Sequence, residues 1–375
     1  MDYHSKLSTL IKLEDLEAEA QQQIWDNLRH EFLIKMAIMP DCHTGYNLPI
    51  GGVALLDNVI SPSYVGYDIG CGMCCIIFDI PSSFIKKDLK KIFDEIYRRI
   101  PVGFNTRSTP EDYPLFSSAS GDAELNEKVN EKVHIQLGTL GSGNHFIELG
   151  ETQQKKLALT VHSGSRNPGH SIASYYMKLS KTVDVDLPQG FLRLRGGIFG
   201  WAYKEDLGWA LKYALDNRKR MLQVIVENVL KLKMADAIQF INENHNCATP
   251  LNTPHGVRVL HRKGATPADK GQYGVIPGNM KDGVFITRGL GNEEFLSSAS
   301  HGAGRKMSRK KAKENIDIDH FKSVMKASGV MAKVDQGTLD EAPDAYKDLH
   351  KVIEAQEGVV IEVVDYIKPL INIKG

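Results

Sequence analysis

Short apolar segments, separated by turns and interspersed with helical segments at irregular intervals, constrain the fold of this chain most. The runs KMAIMPD, GGVALLD and CCIIFDI predict buried strands joined by loops of Gly, Pro and Asp. Further strands are predicted in 256–265, 283–289 and 359–375, and apolar residues at helical spacing predict helices over 13–28, 88–99 and 206–233. Because helices and strands mix without regular βαβ alternation, the sequence predicts an α+β fold of mixed sheets with flanking helices. We expect a single compact domain over residues 1–375.

Charge and composition restrict the possible partners. Lys plus Arg and Asp plus Glu number 46 each, so the formal net charge is zero. Proteins that coat nucleic acid usually carry excess positive charge, so any contact with RNA here requires a local basic patch. The segment MDYHSKLSTLIKLEDLEAEA lacks the apolar core of a signal peptide, and no apolar run approaches the roughly 18 residues that span a bilayer. We therefore expect a cytoplasmic protein without membrane association.

The cysteines favour metal binding over disulfides. They are five in number and three of them are crowded together, which makes a disulfide framework improbable. In the turn Asp68-Ile-Gly-Cys71, a carboxylate and a thiol three residues apart can face one metal ion, although a buried cysteine beside a turn aspartate explains the pattern equally well. Cys71 and Cys74 form a C-x-x-C, but no second such pair and no thioredoxin-like context accompany it. Cys74 and Cys75 are predicted to begin a buried strand.

Several of the thirteen histidines lie in glycine-rich loops or at strand ends, where functional residues are common. His145 follows a loop with three glycines, which could present backbone N–H groups to phosphate although it is not a P-loop. His162 ends a strand-like run, His245 follows the long helix, and His301 lies in another glycine-rich turn. Thiolate and imidazole ligands by themselves suggest zinc. A histidine can also act as a nucleophile or as an acid or base, so the residues predict a metal-assisted enzyme and leave its reaction open.

Taken in chain order, the motifs resemble those of the RtcB family of RNA-splicing ligases from about residue 36 to the last residue. The matching segments are MPDCHTGYNLPIGG (39–52), VGYDIGCGM (65–73), QLGTLGSGNHFIEL (136–149), HSGSR (162–166), NHN (244–246), RKGAT (262–266), RGLGNEE (288–294), SHGAGRKMSR (300–309), AYKD (345–348) and IKG (373–375).

The resemblance implies an RtcB-like catalytic domain that joins an RNA 3′-phosphate or 2′,3′-cyclic phosphate end to a 5′-hydroxyl end, in tRNA splicing or RNA repair. It implies GTP and two Mn²⁺ ions in place of zinc, and a covalent histidine–GMP intermediate on His301. It also implies a monomer, with a protein activator as a further possible partner. The implied metal ligands are Asp68, Cys71, His145, His162 and His245, with Cys71 shared between the two ions.

The resemblance also implies binding residues. The expected nucleotide contacts are Asn144, Glu148, Asn246, Asn279, Ala303, Gly304, Tyr346 and Lys374, among which Glu148 would accept from the N1–H and amine edge of guanine. The candidates for RNA or phosphate contacts are Arg166, Arg262, Lys263 and Arg305, since guanidinium groups suit bidentate phosphate binding.

The chain departs from the family pattern at a few positions. Asn279 and Val284 replace two family serines that help to hold the nucleotide, and Asn167-Pro168 follows HSGSR where glycine is common. These differences suggest a divergent paralogue specialised in RNA repair. Two other functions remain open: a metal-dependent phosphohydrolase that opens cyclic phosphates without ligation, which would not need His301, and a non-catalytic RNA-binding protein.

Overall fold

Two mixed, largely antiparallel sheets form the framework of the protein in a computed structural model, which describes residues 3–112, 119–254 and 256–375. The strands are β1 (Leu7–Thr9), β2 (Leu33–Tyr46), β3 (Leu48–Asp57), β4 (Val59–Ile60), β5 (Gly72–Pro81), β6 (Phe146–Glu151), β7 (Lys156–Ser163), β8 (Leu192–Arg193), β9 (Ala237–Asn244), β10 (Asn246–Thr253), β11 (Gly256–Lys263), β12 (Ala265–Pro267), β13 (Tyr273–Pro277), β14 (Val284–Gly289), β15 (Ser298–Ser300), β16 (Met331–Ala332) and β17 (Ile361–Lys374). The helices are α1 (Ala18–Leu28), α2 (Pro62–Val65), α3 (Ser83–Lys86), α4 (Leu89–Arg99), α5 (Ala123–Gln136), α6 (Arg166–Leu179), α7 (Phe199–Gln223), α8 (Arg309–Asn315), α9 (Ile318–Ser328) and α10 (Leu349–Glu354).

The larger sheet has the order β13-β14-β17-β6-β7-β5-β9, with β16 paired to β17, and the smaller sheet has the order β1-β2-β3-β11-β10. Two short pairs, β12-β15 and β4-β8, complete the strand pairing among the described residues. The β1-β2 and β16-β17 pairs are parallel and the other named pairs are antiparallel. The predicted α+β architecture of mixed sheets with flanking helices is confirmed.

The strand β5 explains why the run CCIIFDI is continuously apolar. Cys74, Ile76 and Phe78 pack on one side with residues of α4 and α7, whereas Met73 and Cys75 pack on the other side with residues of β13 and β14. A strand that is covered on both faces needs apolar residues at every position. The two cysteines predicted to begin this strand are therefore core residues, and all five cysteines of the chain are buried free thiols.

The helix predictions were right in place but partly wrong in bounds. The helix expected over 88–99 is confirmed as α4, whereas the one expected over 13–28 begins only at Ala18, after a 3-10 turn at Leu13–Asp15. The helix expected over 206–233 begins earlier, at Phe199, and passes into a π-helical turn at Val224–Val229. Ile198 and Trp201 are exposed, so the first turns show no apolar stripe that a sequence pattern could detect.

The register of four neighbouring strands places the candidate metal ligands together. Met73 of β5 lies opposite His162 of β7, His162 lies opposite Phe146 of β6, and Gly72 lies opposite Asn244 of β9. Because these strands are antiparallel, the starts of β5 and β6 and the ends of β7 and β9 meet at one edge of the sheet. Cys71, His145 and His245, each directly adjacent to one of these strand ends, join His162 at that edge.

A buried arginine of α7 supports this edge from behind. The fully buried side chain of Arg218 donates to the carbonyl oxygens of Gly70 and Ser163 at 2.7 and 2.9 Å, and to the side-chain oxygens of Asn242 and Asn244 at 2.8 and 2.7 Å. Burial lowers the pKa of this guanidinium. Its four acceptors come from the turn before β5 and from two strand ends, so the side chain ties together the segments that carry the ligands.

Replacement of this arginine should destabilise the protein strongly. In Arg218→Met, two buried carbonyl oxygens and two partly buried asparagine oxygens lose their donor, and we expect the free energy of unfolding to fall by about 3–5 kcal/mol. The control Lys219→Met, at the exposed neighbouring position, should change it by less than about 0.5 kcal/mol. Urea denaturation of both variants measures the difference, and equal effects would contradict the supporting role of Arg218.

Within the described ranges, no helix combines the length and the apolar character needed to cross a bilayer.

Candidate metal and nucleotide site

Four buried or partly buried segments bring nitrogen, sulfur and oxygen ligands into contact at the sheet edge. Cys71 Sγ lies 3.1 Å from His162 Nε2 and 3.5 Å from His145 Nε2, and His162 Nε2 lies 3.3 Å from His245 Nε2. Asp68 Oδ2 lies 3.0 Å from His145 Nε2. Two trios result, Cys71-His162-His245 and Asp68-Cys71-His145, and within each trio the ligand atoms lie within 4.8 Å of one another. The thiol of Cys71 is common to both.

Backbone carbonyls fix the orientation of two of these imidazoles. Nδ1 of His145 donates to the carbonyl oxygen of Leu140 at 2.9 Å, and Nδ1 of His162 donates to that of Asn144 at 3.1 Å. With the proton held at Nδ1, the lone pair of each neutral ring is at Nε2 and points into the cluster. Metal-ligating histidines usually have this second hydrogen bond, which sets both tautomer and ring orientation.

Electrostatic effects favour the metal-binding forms of His162, His245 and Asp68. Burial lowers the pKa values of His162 and His245 well below the ordinary value, and the neighbouring His145 and His301, respectively, lower them further. Burial alone would raise the pKa of Asp68, but His145 and Arg166 outweigh it and the net pKa is lowered. Neutral imidazoles and an ionised carboxylate are the forms that bind a cation. The donor set therefore fits one or two metal ions that share Cys71.

Replacement of Cys71, the ligand common to both trios, should weaken metal binding more than the loss of a residue outside the coordination shell would. In Cys71→Ala both trios lose a ligand, so we expect the affinity for a divalent metal ion to fall by more than the about 10- to 100-fold typical of losses outside the coordination shell. Isothermal titration of metal-stripped protein measures this. Cys74→Ala, which removes a buried thiol from the adjacent strand, is the control and should leave the affinity unchanged. Equal affinities of the two variants would contradict the assignment.

A fourth histidine lies beside the cluster and is held by a buried carboxylate. The ring centroid of His301 is 4.8 Å from that of His245, and its Nδ1 lies 2.7 Å from Oδ2 of Asp41, which also accepts from the His301 backbone N–H at 3.2 Å. Asp41 comes from β2, where the β2-β3 register shifts between Ile38 and His43. Because an ionised carboxylate can only accept, Nδ1 of His301 donates this hydrogen bond, and in the neutral form of the ring the lone pair lies on Nε2.

The glycine-rich turn after His301 allows this close approach. Gly304 has a φ of 74°, and a Cβ atom at this position would lie 2.4 Å from the backbone oxygen of Asp41. Any other residue would push the turn away from β2 and separate His301 from its carboxylate.

A buried charge network forms the opposite side of the same cavity. Oε2 of Glu341 accepts from Lys374 Nζ at 2.9 Å and from the hydroxyl of Tyr346 at 2.5 Å, and Oε1 lies 2.6 Å from Arg309 and 3.2 Å from Arg305. Burial alone would raise the pKa of Glu341, but Lys374 and Arg309 dominate and lower it. The four donors surround one carboxylate, so the cavity has cationic groups in fixed positions.

Most of the site residues predicted from the sequence motifs line one cavity of the structure. The cavity has a volume of about 350 Å³. The predicted residues that line it are Asp68, Cys71, Asn144, His162, His245, Asn246, Lys263, His301, Ala303, Gly304, Arg305, Tyr346 and Lys374. His145 and Arg166 line a neighbouring cavity of about 370 Å³, which shares Tyr67 and Asp68 with the first.

Three predicted binding residues lie away from these cavity walls. Asn279 accepts from the backbone N–H groups of Lys281 and Asp282 and donates to the Asp282 side chain, so its polar atoms hold a turn. Arg262 is buried and donates to Ser298 Oγ and to the carbonyl oxygen of Ser297. Glu148 is buried and does not line either cavity.

The carboxyl of Glu148 has one unsatisfied oxygen. Asn372 donates to Oε2 at 2.9 Å, whereas Oε1 is buried and has no hydrogen-bond partner among the described residues. Burial raises the pKa of Glu148 to about 8, against the opposing effects of Asn372 and Lys374. A buried acceptor without a donor costs free energy, so a ligand donor at this position would relieve that cost.

Several residues of the site escaped sequence interpretation. Asp41 and His43 lie within the first matching motif, which is the signal that points to them, but the motif alone assigns no chemical role to either residue. His43 Nδ1 donates to the backbone oxygen of Asp41 at 2.9 Å. Glu341, Arg309 and Arg218 carry charges that pattern alone cannot distinguish from surface charges.

Side chains able to hold metal ions, next to a carboxylate-oriented histidine in one polar cavity, are the groups that a metal-assisted enzyme with a nucleophilic or acid–base histidine requires. The sequence model described as tRNA-splicing ligase RtcB matches residues 23–375. The chain is 34% identical to RNA-splicing ligase RtcB1 of Escherichia coli ATCC 25922 and 33% identical to RNA-splicing ligase RtcB of Escherichia coli K12, over 96% of this chain and 95% of each relative. It is 28% identical to tRNA-splicing ligase RtcB of Nanoarchaeum equitans, over 91% of this chain and 88% of that protein.

The chain thus belongs to the RtcB family and is an RNA ligase.

Proposed function

We propose that this chain is a GTP- and Mn²⁺-dependent ligase that joins RNA ends with a 3′-phosphate or 2′,3′-cyclic phosphate to RNA ends with a 5′-hydroxyl, through a covalent histidine–GMP intermediate. The observation that carries the proposal is the pairing of His301 Nδ1 with Asp41 Oδ2 at 2.7 Å, beside the Cys71 cluster. A phosphohydrolase without ligation would not require an oriented histidine here, so this pairing favours the ligase. We extend the proposal to the whole chain as one ligase domain that acts as a cytoplasmic monomer, with a protein activator as an additional partner.

His301 acts first in the proposed reaction. Its Nε2 lone pair attacks the α-phosphorus of GTP, a P–N bond forms, and pyrophosphate leaves with the electrons of the broken P–O bond. His301 then transfers GMP to an oxygen of the RNA 3′-phosphate, which restores the imidazole. The 5′-hydroxyl of the second RNA end attacks the same 3′-phosphorus, loses its proton and expels GMP. A 2′,3′-cyclic phosphate requires hydrolytic opening to the 3′-phosphate before this sequence.

The residues of the two trios would hold two Mn²⁺ ions, with Cys71 between them. Bound ions would orient the phosphates and neutralise the charge that develops on the leaving oxygens. Asp41, which is fully buried, meanwhile holds His301 in the tautomer that exposes Nε2, and the His301 side chain is 15% exposed, in the wall of the cavity. In this proposal the ions stabilise charge, whereas His301 and Asp41 determine where the imidazole proton lies.

The nucleotide is proposed to occupy the cavity between His301 and the Glu341 network. Tyr346, Lys374 and Asn144 line this cavity, and the unsatisfied Oε1 of Glu148 lies behind it in β6. Guanine offers an N1–H and an amine, which can donate to a carboxylate, whereas adenine has an acceptor at N1. A small movement of the wall on nucleotide binding would bring these groups together, and Glu148 would then select GTP over ATP.

The phosphates of the RNA are proposed to meet the cationic groups at the cavity rims. Arg305 and Lys263 line the first cavity and Arg166 lines the second. Burial lowers the pKa of Lys263 to about 7, and its Nζ donates to the carbonyl oxygen of Ser63 at 2.9 Å. An incoming phosphate would favour the charged form of this amine. Arg262, whose donors are satisfied by Ser298 and the backbone, has less support for such a contact.

The departures from the family pattern support a proposed role in RNA repair. Val284 is fully buried in β14 and Asn279 holds its own turn, so neither residue offers the hydroxyl of the family serine. Profiling of RNA substrates tests this role. We expect broken RNA ends to be joined better than tRNA exon halves, and a preference for exon halves would contradict it.

Covalent labelling tests the ligase proposal. Purified protein incubated with α-labelled GTP and Mn²⁺ should acquire acid-labile label, and subsequent addition of RNA with a 3′-phosphate should discharge it. α-Labelled ATP and protein treated with a chelator are the matched controls, and both should remain unlabelled. Failure of GTP to label folded, metal-loaded protein would contradict the histidine–GMP intermediate.

A further inference from the structure

Three aromatic rings from distant parts of the chain form a row beside the metal cluster. The ring centroid of Tyr67 lies 5.4 Å from that of His170 at an interplanar angle of 24°, and 6.4 Å from that of Tyr46 at an angle of 47°. Tyr46 ends β2, Tyr67 precedes Asp68 and His170 lies on α6. Both tyrosines are 46% exposed, and His170 is exposed as well. We call Tyr46, Tyr67 and His170 the aromatic row.

The aromatic row lies where the two cavities meet. Tyr67 lines both of them, and His170 lines the second together with Asp68, His145 and Arg166. Phe104, which is 94% exposed, lines the same second cavity. Single exposed aromatic residues are common on protein surfaces, but rings that converge from three chain segments on one cavity next to candidate ligands need another explanation.

The groups around the row match the parts of a nucleotide. The Arg166 guanidinium is fixed by Thr139 Oγ1 at 3.2 Å and by the carbonyl oxygen of Gly103 at 3.1 Å, and it faces the second cavity. Lys263 Nζ lies 6.0 Å from the ring centroid of Tyr46 at the other end of the row. Cationic groups that flank exposed rings are the pattern of a single-stranded nucleic-acid site, where phosphates meet the charges and bases stack on the rings.

We propose that Tyr67 and His170 form a stacking platform for the nucleobase of the terminal nucleotide of one RNA end, which enters through the second cavity while the guanine nucleotide occupies the first. This inference rests on the proposed joining of RNA ends, and it adds the way in which an end is held. Stacking recognises the face common to all bases, so the platform selects a base-bearing, unpaired end of any sequence. Phosphate alone would not occupy it.

Equilibrium binding without GTP tests the platform. Short fluorescent single-stranded RNAs are titrated with the Mn²⁺-loaded protein, and fluorescence anisotropy gives Kd. One RNA is complete, one lacks the base of its 3′-phosphate nucleotide and one lacks the base of its 5′-hydroxyl nucleotide. We expect loss of the base at one of the two ends to raise Kd by about 5- to 100-fold, as base–aromatic stacking predicts. The affected arm identifies which end the platform holds.

Substitutions of the platform residues test whether the terminal base contacts the rings of Tyr67 and His170. Tyr67→Ala should weaken binding of the complete RNA by a similar factor and should not weaken binding of the affected abasic RNA further. Tyr67→Phe, which keeps the ring, should restore the affinity. His170→Ala tests the second ring of the platform in the same way. His170 lies on the exposed side of α6, so this variant leaves Tyr67, the neighbour of Asp68, unchanged. Phe84→Ala removes an aromatic side chain that is 51% exposed on α3 and serves as the control.

The result that overturns the platform is a Kd that is unchanged by removal of either terminal base, or an equal loss of affinity for complete and abasic RNA in the Tyr67 and His170 variants. This outcome is separate from the fate of the ligase proposal because no GTP is present. A protein that fails to accept label from GTP but loses affinity for one abasic RNA keeps the platform and loses the intermediate. A protein that accepts label from GTP but binds complete and abasic RNA with equal affinity keeps the intermediate and loses the platform.

Discussion

His301→Ala should abolish covalent labelling by α-labelled GTP and, with it, RNA ligation. Alanine has no nucleophile, and the neighbouring imidazoles of His245 and His162 face the cluster and not a carboxylate that would orient them as nucleophiles. A nucleophile that forms the covalent intermediate cannot be replaced by binding energy elsewhere, so we expect no label above the background of heat-denatured protein. Gel autoradiography after acid-free denaturation measures the label.

The matched control for this variant is His320→Ala. His320 Nε2 lies 3.1 Å from Asp344 Oδ2 in a His–Asp pair like that of His301 and Asp41, but this pair is exposed on the surface. The control should label as the wild type does. Label retained by His301→Ala, at any fraction well above background, would mean that another residue receives GMP.

Asp41→Asn should slow covalent labelling by about 10²–10⁴-fold, the range seen when the carboxylate that orients a catalytic histidine becomes an amide. The asparagine amide can donate to Nδ1, which would move the imidazole proton to Nε2 and remove the lone pair from the side that faces the nucleotide. The effect should appear in the labelling rate at saturating GTP, whereas the GTP concentration for half-maximal rate should change little.

The melting temperature of Asp41→Asn distinguishes a catalytic effect of this residue from a structural one. Asp41 is fully buried, and its Oδ1 has no hydrogen-bond partner among the described residues. A buried carboxylate with an unsatisfied oxygen lowers stability, so the melting temperature of Asp41→Asn should equal or exceed that of the wild type. Asp344→Asn, in the exposed pair, is the control for both measurements. A slow variant that also melts well below the wild type would make Asp41 a structural residue.

The sequence predicted secondary structure better than it predicted the order of strands. Apolar runs placed β2, β3, β5, β11, β14 and β17 because a buried strand needs apolar residues whatever its neighbours are. The sequence contains no comparable signal for which strands pair, and the insertion of β17 between β14 and β6 follows from neither spacing nor periodicity. The bounds of α7 were missed because its first turns expose apolar residues.

For the site, local motifs identified single residues but not their partners. His301 and Cys71 stand out because glycine-rich turns surround them, and the resemblance assigned roles to both. Asp41 lies 260 residues from His301, and nothing in either segment indicates that they pair. Glu341 lies in a 3-10 turn at Leu339–Glu341 and gathers four donors from three other segments. Such partners depend on the tertiary structure, which sequence patterns do not encode locally.

The central position of β17 has a consequence for the order of events in biogenesis. This strand is the last in the chain, yet it lies inside the larger sheet, pairs with β6 along Phe146–Glu151 and brings Lys374 to the cavity. A ribosome-bound chain that has not yet released β17 therefore exposes one side of β6 and lacks Lys374 in the wall of the cavity beside His301. The contacts involved are distant in sequence, which slows their formation. Because β17 completes both the sheet and the cavity, we expect that a polypeptide truncated before this strand does not join RNA ends.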